Sequence, residues 1–244
     1  MRNIKCVIAY DGADFMGWQI QDGVRTVQET MECSLEKILG HATRVIASGR
    51  TDAGVHALAQ VINFPTESSV PPEGLVRGLN SVLPGDVVVS SAVDVQPEFN
   101  ARFMAKAKTY VYVMNISTLR NPFLERYALQ VKRPLDCKAM QDAAICLVGE
   151  HDFTSFQASG SSVKTTSRLI TTSEIMQKGN KVFFCMKGSG FLRHMVRNIV
   201  GTLLLVGSGK IVPHDFQQIL ALKDRSLAGP TAPPQGLYLM GVEY

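Results

Sequence analysis

Apolar and polar positions along this chain switch repeatedly between the two-residue period of strands and the 3.6-residue period of helices. Residues 3–10 (NIKCVIAY) predict a strand that ends at Asp11-Gly12, a turn signal. Thr26, with Glu29 three positions on, forms a capping box. Behind it Val27, Met31, Leu35 and Ile38 line one face of a helix that Gly40 stops. Next come a short strand over 44–48, a glycine-bounded loop over 49–54 and a strand over 58–64 closed by Pro65. Pro71-Pro72 opens a second helix to about Leu83, and DVVVSSAVDV (86–95) is a further strand. The order is β-α-β-β-α-β.

The second half repeats that order with insertions. KTYVYVMNIS (108–117) alternates as a strand, and residues 135–148 form a helix with apolar Leu135, Met140, Ala144, Leu147 and Val148. Strands over 167–176 and 181–187 are joined by a Lys-Gly-Asn turn. A long helix runs from about Phe191 to Val206, Pro213 starts a short extra one, and GLYLMGVEY (236–244) closes the chain as a strand. The expected fold is α+β: two ferredoxin-like halves, residues 1–105 and 106–244, with mainly antiparallel sheets side by side and a cleft between them. No repeated residue pattern links the halves, so what is duplicated is architecture.

Composition narrows the class. With 45% hydrophobic and 19% charged residues, the 244-residue chain affords one or two packed domains and excludes wholesale disorder. The formal net charge of +4 hides an uneven distribution. Residues 1–100 hold 7 Lys/Arg against 12 Asp/Glu, and residues 101–244 hold 18 against 9, giving −5 in front and +9 behind. That asymmetry points to a nucleic-acid partner more strongly than the total does, although a solvated basic face gives the same numbers. The five cysteines, Cys6, Cys33, Cys137, Cys146 and Cys185, are odd in number and never in a CxxC, so neither a disulfide framework nor a structural zinc site is expected. The N-terminal apolar run is too short for a signal peptide. The longest apolar stretch, Ile199 to Val206, is broken by Gly201 and Thr202 and cannot span a bilayer. A reducing, cytoplasmic setting with no membrane is expected.

Three segments carry candidate chemistry. In Ser48-Gly49-Arg50-Thr51-Asp52-Ala53-Gly54-Val55-His56, two glycines bracket an Arg and an Asp between strands. Such a loop can hold a carboxylate at an unusual angle, and Arg50 would favour the ionised, nucleophilic form; an Asp-Gly turn with a surface ion pair is the plainer reading. Aspartic protease chemistry would need a second Asp-[TS]-Gly, which is absent, and a glycosidase would need a carboxylate partner, of which none stands out. His41, His56, His151, His194 and His214 never fall at metal-ligand spacing, so no metal is expected, and His151-Asp152 reads as a turn. In GSGFLRHMVRN (188–198), a glycine-rich approach leads into a helix with Arg193 and Arg197 on one face. Cations in the first turns oppose the helix dipole, which makes sense if a phosphate or an aspartate sits there; two solvated arginines are the alternative. Lys108, Tyr110 and Tyr112 share a strand face, a pattern that suits base stacking with phosphate contact but also ordinary sheet packing.

Taken together, these segments resemble the tRNA pseudouridine synthase A (TruA) family. The resemblance rests on SGRTDAGVHA with downstream AQVINF, YDGADFMGWQ (10–19), FNARFMAKAKTYVYV (99–113), GEHDFTSF (149–156), GFLRHMVRNIVG (190–201) and the terminal GLYLMGVEY, in family order over nearly the whole chain. Ala13 after Tyr-Asp-Gly is a local variation that touches no proposed catalytic position.

The resemblance implies a cofactor-free isomerase that turns uridine into pseudouridine at positions 38, 39 and 40 of the tRNA anticodon arm. It also implies a homodimer whose subunits both contact one tRNA. By that carry-over Asp52 is the nucleophile and Tyr110 contacts the uracil, placed to help remove the proton from C5. Arg197 pairs with Asp52, Arg50 helps extrude the base and fill its place, and Leu237 walls the pocket. The basic second half, with Lys108, Lys164 and Arg193, would grip phosphates and serve dimerisation, leaving the acidic half to chemistry. The rivals are a non-catalytic RNA-binding or chaperone protein, which gives the Arg-Thr-Asp loop no role, and the aspartic hydrolase already disfavoured.

Overall fold

The computed structural model describes residues 1–158, 160 and 165–244. The chain divides into two compact units, Met1–Lys106 with Tyr238–Tyr244, and Ala107–Leu237. Both mix helices with mainly antiparallel strands, the α+β class expected.

In the first unit β1 (Arg2–Tyr10), α1 (Val27–Leu39), β2 (Ile46–Ala47), β3 (His56–Thr66), α2 (Pro72–Val82) and β4 (Val87–Val95) follow the β-α-β-β-α-β order. β1 lies between β3 and β4, antiparallel to both, and β2 pairs with β3. The pleat turns Ile4, Cys6, Ile8 and Tyr10 of β1 inward, each at most 4% exposed. α1 begins where the Thr26 side chain accepts from the Glu29 N–H and ends at Gly40, whose φ of 77° a residue with a Cβ adopts at a cost. Its Val27, Met31 and Leu35 are fully buried, as are Leu75 and Leu79 of α2. Each such side chain contributes about 1.5–3 kcal/mol. Pro65 does not close β3: it pairs opposite Asn3 of β1, and β2 reaches only Ile62 and Asn63, so the missing N–H costs no ladder bond on that side. The register of β1 on β3 shifts between Ile8 and Tyr10, a bulge at the end where the Asp52 loop enters β3. The terminal strand (Leu237–Glu243), counted in sequence with the second half, pairs here: Tyr238 and Leu239 lie parallel to His56 and Ala57.

In the second unit β5 (Ala107–Ile116), β6 (Leu129–Val131), α3 (Cys137–Ala144), β7 (Gly149–Asp152), β8 (Ser167–Lys178), β9 (Lys181–Gly188), α4 (Met195–Gly207) and α5 (Pro213–Leu222) precede the terminal strand, β10. The sheet runs β5-β9-β8-β7 antiparallel, and β6 adds to β5 in parallel. Tyr112, Phe153, Phe156, Phe184, Ile199, Leu203 and Phe216 form its core, all fully buried.

Several boundaries differ from the sequence expectation. The helix expected over 135–148 starts only after Asp136, whose side chain caps it, and tightens to a 3-10 turn at Ile145–Leu147. His151-Asp152, read as a turn, belongs to the short strand β7 (Gly149–Asp152) on β8. The helix expected from Phe191 begins at Met195, because His194 takes a left-handed φ of 61° and cannot continue a helix backwards. Arg193 and Arg197 therefore do not share a helical face. Lys164 lies outside the described residues. Among the described residues no helix is long and apolar enough to cross a membrane.

Candidate active site

The loop between β2 and β3 is held by backbone contacts from residues 10–18. The Trp18 N–H donates to the Thr51 carbonyl at 3.0 Å and the Gly54 N–H to the Phe15 carbonyl at 3.2 Å, while the Val55 N–H closes the loop on the Asp52 carbonyl at 3.2 Å. Two glycines make this approach possible. A Cβ on Gly12 would lie 1.9 Å from the Val55 oxygen; one on Gly17, whose φ is 91°, would lie 2.9 Å from the Thr51 oxygen. The 10–18 segment is itself pinned, since the Arg25 guanidinium sits 4.1 Å from the Phe15 ring centroid and clamps Asp86 at 2.6 and 2.8 Å.

Side chains close the loop from below. Tyr10 and Thr51 share a hydrogen bond of 2.8 Å between their hydroxyls. Burial pushes the Tyr10 phenol up to about 12, against the hydrogen bonds of Thr51 and Gln60, so it stays neutral at physiological pH. Gln60, fully buried, accepts from Ser48 Oγ at 2.6 Å and donates to the Gly49 carbonyl at 2.8 Å. His56, 2% exposed, stacks on Tyr238 with centroids 4.7 Å apart, and its Nδ1 lies 3.1 Å from both the Gly12 N–H nitrogen and Asp11 Oδ1. Within this frame Asp52 is half-buried and Arg50 is exposed. A carboxylate with its backbone fixed on both sides is preorganised to act at a bound atom.

In the second unit, Tyr110 of β5 is 8% exposed and meets Phe191 edge-on at 4.9 Å. Tyr112 is fully buried and donates its hydroxyl to the Pro233 carbonyl at 2.7 Å. Burial raises its phenol far above the usual range, against the nearby Arg197 charge. Arg197 Nε donates to the Ala232 carbonyl at 2.8 Å, and the Ala232 N–H donates back to the Arg197 carbonyl at 3.0 Å. The buried Asn198 beside it donates to the Phe156 carbonyl and accepts from Thr231 Oγ1 at 2.6 Å and Arg225 at 3.2 Å. A Cβ on Gly201 would lie 1.7 Å from the Pro230 oxygen. The strap over 228–236 is thus sewn to α4, and Leu237, 6% exposed, emerges from its end. Lys108 is half-buried on β5 and Arg193 is exposed ahead of α4.

Asp152 of β7 is a separate matter. Burial opposes its charge, but hydrogen bonds from Thr154 and Thr166 and the Lys223 ammonium at 3.2 Å hold its carboxyl far below the usual carboxylate range. That is a structural ion pair, not a poised base. Among the described residues no group of three or more His, Cys, Asp or Glu could hold a metal ion.

A family model described as tRNA pseudouridine synthase matches residues 6–104 and 143–244, most of the chain and both units. The chain belongs to the tRNA pseudouridine synthase family. Full-length relatives agree. The enzyme is 44% identical over 244 residues to the tRNA pseudouridine synthase A of Thermoanaerobacter sp. (strain X514), covering 100% of each chain. It is 46% identical over 245 residues to that of Geobacter sp. (strain M21), covering 100% of this chain and 99% of the other. It is an isomerase that forms pseudouridine in tRNA.

Sequence reasoning singled out the Asp52 loop of this enzyme but not the groups that hold it. Tyr10, Gly12, Gly17 and Trp18 act on residues 51–55 from 33 to 43 positions away, and the paired glycines at 12 and 17 were the one available signal. The Ala-Gly-Pro-Thr-Ala-Pro-Pro-Gln-Gly composition of the strap over 228–236 suits a close-packed extended segment.

Proposed function

We propose that the enzyme isomerises uridine at positions 38, 39 and 40 of the tRNA anticodon arm with Asp52 as its nucleophile. The observation that carries this reading is the Asp52 loop, a half-buried carboxylate whose backbone is hydrogen-bonded on both sides by residues 10–18. The overall change breaks the C1′–N1 bond of uridine and joins C5 of the uracil to C1′; C5 loses a proton and N1 gains one. Mass and oxidation state are unchanged, so the atom balance calls for no cofactor.

The ionised carboxylate has two routes. Attack on C1′ of the ribose displaces N1 and leaves a ribosyl ester from which C5 later expels the carboxylate. Addition to C6 of the uracil gives an adduct whose C1′–N1 bond must still break before the ring turns; the carboxylate leaves C6 after C5 has bonded to C1′ and lost its proton. Tyr110 is assigned to the uracil and to removal of the C5 proton, Arg197 to the charge of Asp52, and Leu237 to the apolar wall. Arg50, exposed on the loop, is suited to fill the gap left by a flipped base. Extruding that base from a stem costs about a few kcal/mol. Aromatic contact recovers roughly 1–3 kcal/mol of it. Lys108, Arg193 and Lys164 are assigned to phosphates. A homodimer in the cytoplasm, with one tRNA touched by both subunits, completes the reading.

The test is incubation with an unmodified tRNA transcript without added metal or cofactor. The expected product is a mass-neutral, carbodiimide-reactive nucleotide at positions 38–40. Modification elsewhere in the tRNA, or none, contradicts the assignment.

A further inference from the structure

Between β4 and β5 the chain makes a turn over residues 96–106 whose inside is polar and buried and whose tip is apolar and exposed. Asn63, 3% exposed, accepts from the Ala101 N–H at 2.8 Å and donates to Asn3 Oδ1 at 3.0 Å and the Phe99 carbonyl at 3.2 Å. Asn3 donates to the carbonyls of Gln96, Pro97 and Phe99, and the Tyr244 hydroxyl donates to the Ala101 carbonyl at 2.8 Å. Asn100 Oδ1 accepts from the N–H groups of both Arg102 and Phe103. Buried amides are tolerated only when satisfied, and these are satisfied by fixing this one turn.

The fixed turn presents Phe103 to solvent, 79% exposed, with the Arg102 guanidinium 5.5 Å from its ring centroid. A lone exposed apolar residue is ordinary on a protein surface. A rigidly held one with a guanidinium beside its ring is not. Lys106 is exposed on the same turn, and the Lys5 ammonium lies 5.7 Å from the Phe99 and Tyr244 rings beneath it. Glu98 is the one carboxylate in residues 96–106.

The geometry points to a nucleotide-stacking tip: Phe103 takes the face of an unpaired base of the tRNA, and Arg102, Lys5 and Lys106 take the adjoining phosphates. An interleaved aromatic and cation suit a polyanion with exposed π-faces, whereas an apolar protein partner would leave three desolvated charges. This rests on tRNA being the substrate, and it gives the acidic unit a share in grip as well as chemistry.

The test measures tRNA affinity by filter binding at fixed salt, together with turnover. Phe103→Ala is expected to weaken tRNA binding about tenfold. Phe103→Trp should bind at least as tightly as wild type, and Phe103→Leu should stay weak because it restores apolar bulk without a π-face. Arg102→Gln should reduce the slope of log affinity against log salt by about one. An unchanged affinity in Phe103→Ala overturns the inference. So does full rescue by Leu, or a changed oligomeric state in light scattering, either of which would mark a protein–protein face. Pseudouridine formation by wild type is scored separately: its absence at positions 38–40 contradicts the proposed reaction, while the Phe103 series still reads binding on its own.

Discussion

Around Asp52 the backbone is held by its own hydrogen bonds and by close approach to glycine. Trp18, Phe15 and Val55 fix the peptide on either side of it, and the closest approach is the one that Gly12 allows at the Val55 oxygen. Gly12→Ala forces that carbonyl to move, since the neighbour is backbone and cannot swing aside. It is expected to lower stability by about 1–3 kcal/mol and to reduce turnover. Gly85→Ala, with nothing within 4 Å of the new Cβ, should stay within about 0.5 kcal/mol of wild type in a denaturant titration. Equal effects of the two would dismiss the close packing of the loop as its organising feature. The candidate nucleophile was legible in sequence because Gly49 and Gly54 bracket it within six residues. Its cradle was not, because a backbone hydrogen bond between Trp18 and Thr51 leaves no mark on either residue's type. Tyr112 shows the converse: a strand pattern that also suits base stacking does not reveal a hydroxyl committed to the Pro233 carbonyl.

Among the elements, those with long periods or strong caps declared themselves. α1 carries both its Thr26 cap and its Gly40 stop, and the β8–β9 hairpin carries its Lys-Gly-Asn turn. β6 and β7 have three and four residues, too few for a period to show, and they form by adding to β5 and β8. The start of α4 was misjudged because a left-handed histidine has no sequence signature. α4 depends on its strap, so Gly201→Ala, with its Cβ 1.7 Å from the Pro230 oxygen, should destabilise by about 1–3 kcal/mol and lower activity through Arg197. Wild-type melting and turnover in that variant would sever the strap from the site. β7 supplies a pH test. The Asp152 carboxyl is depressed in the folded state, so its contribution is present above its unfolded value of about 3.9 and fades as pH falls below that. Asp152→Asn should therefore cost about 1–2 kcal/mol at pH 7, with the difference from wild type shrinking below about pH 4. A gap that is constant from pH 7 to 3 would rule out the ionised carboxylate as its source.

For the whole molecule, the net charge of +4 is the sum of a front stretch at −5 and a rear stretch at +9. The unit that holds Asp52 has a net charge of −4 once Arg102, Lys106 and Glu243 are counted with the front stretch, and the unit of Tyr110 and Arg197 has the remaining +8. The return of Tyr238–Tyr244 to the first unit was not legible in the chain, because a terminal strand shows its own period and not its neighbour. In the proposed reaction Asp52 acts on the bond while other groups hold the RNA. Its most direct test is tritium release from C5-labelled uridine tRNA by Asp52→Asn under single-turnover conditions, with tRNA affinity measured alongside. The expected result is loss of release by at least about a thousandfold, with affinity within about twofold of wild type. Release at the wild-type rate would contradict the claim.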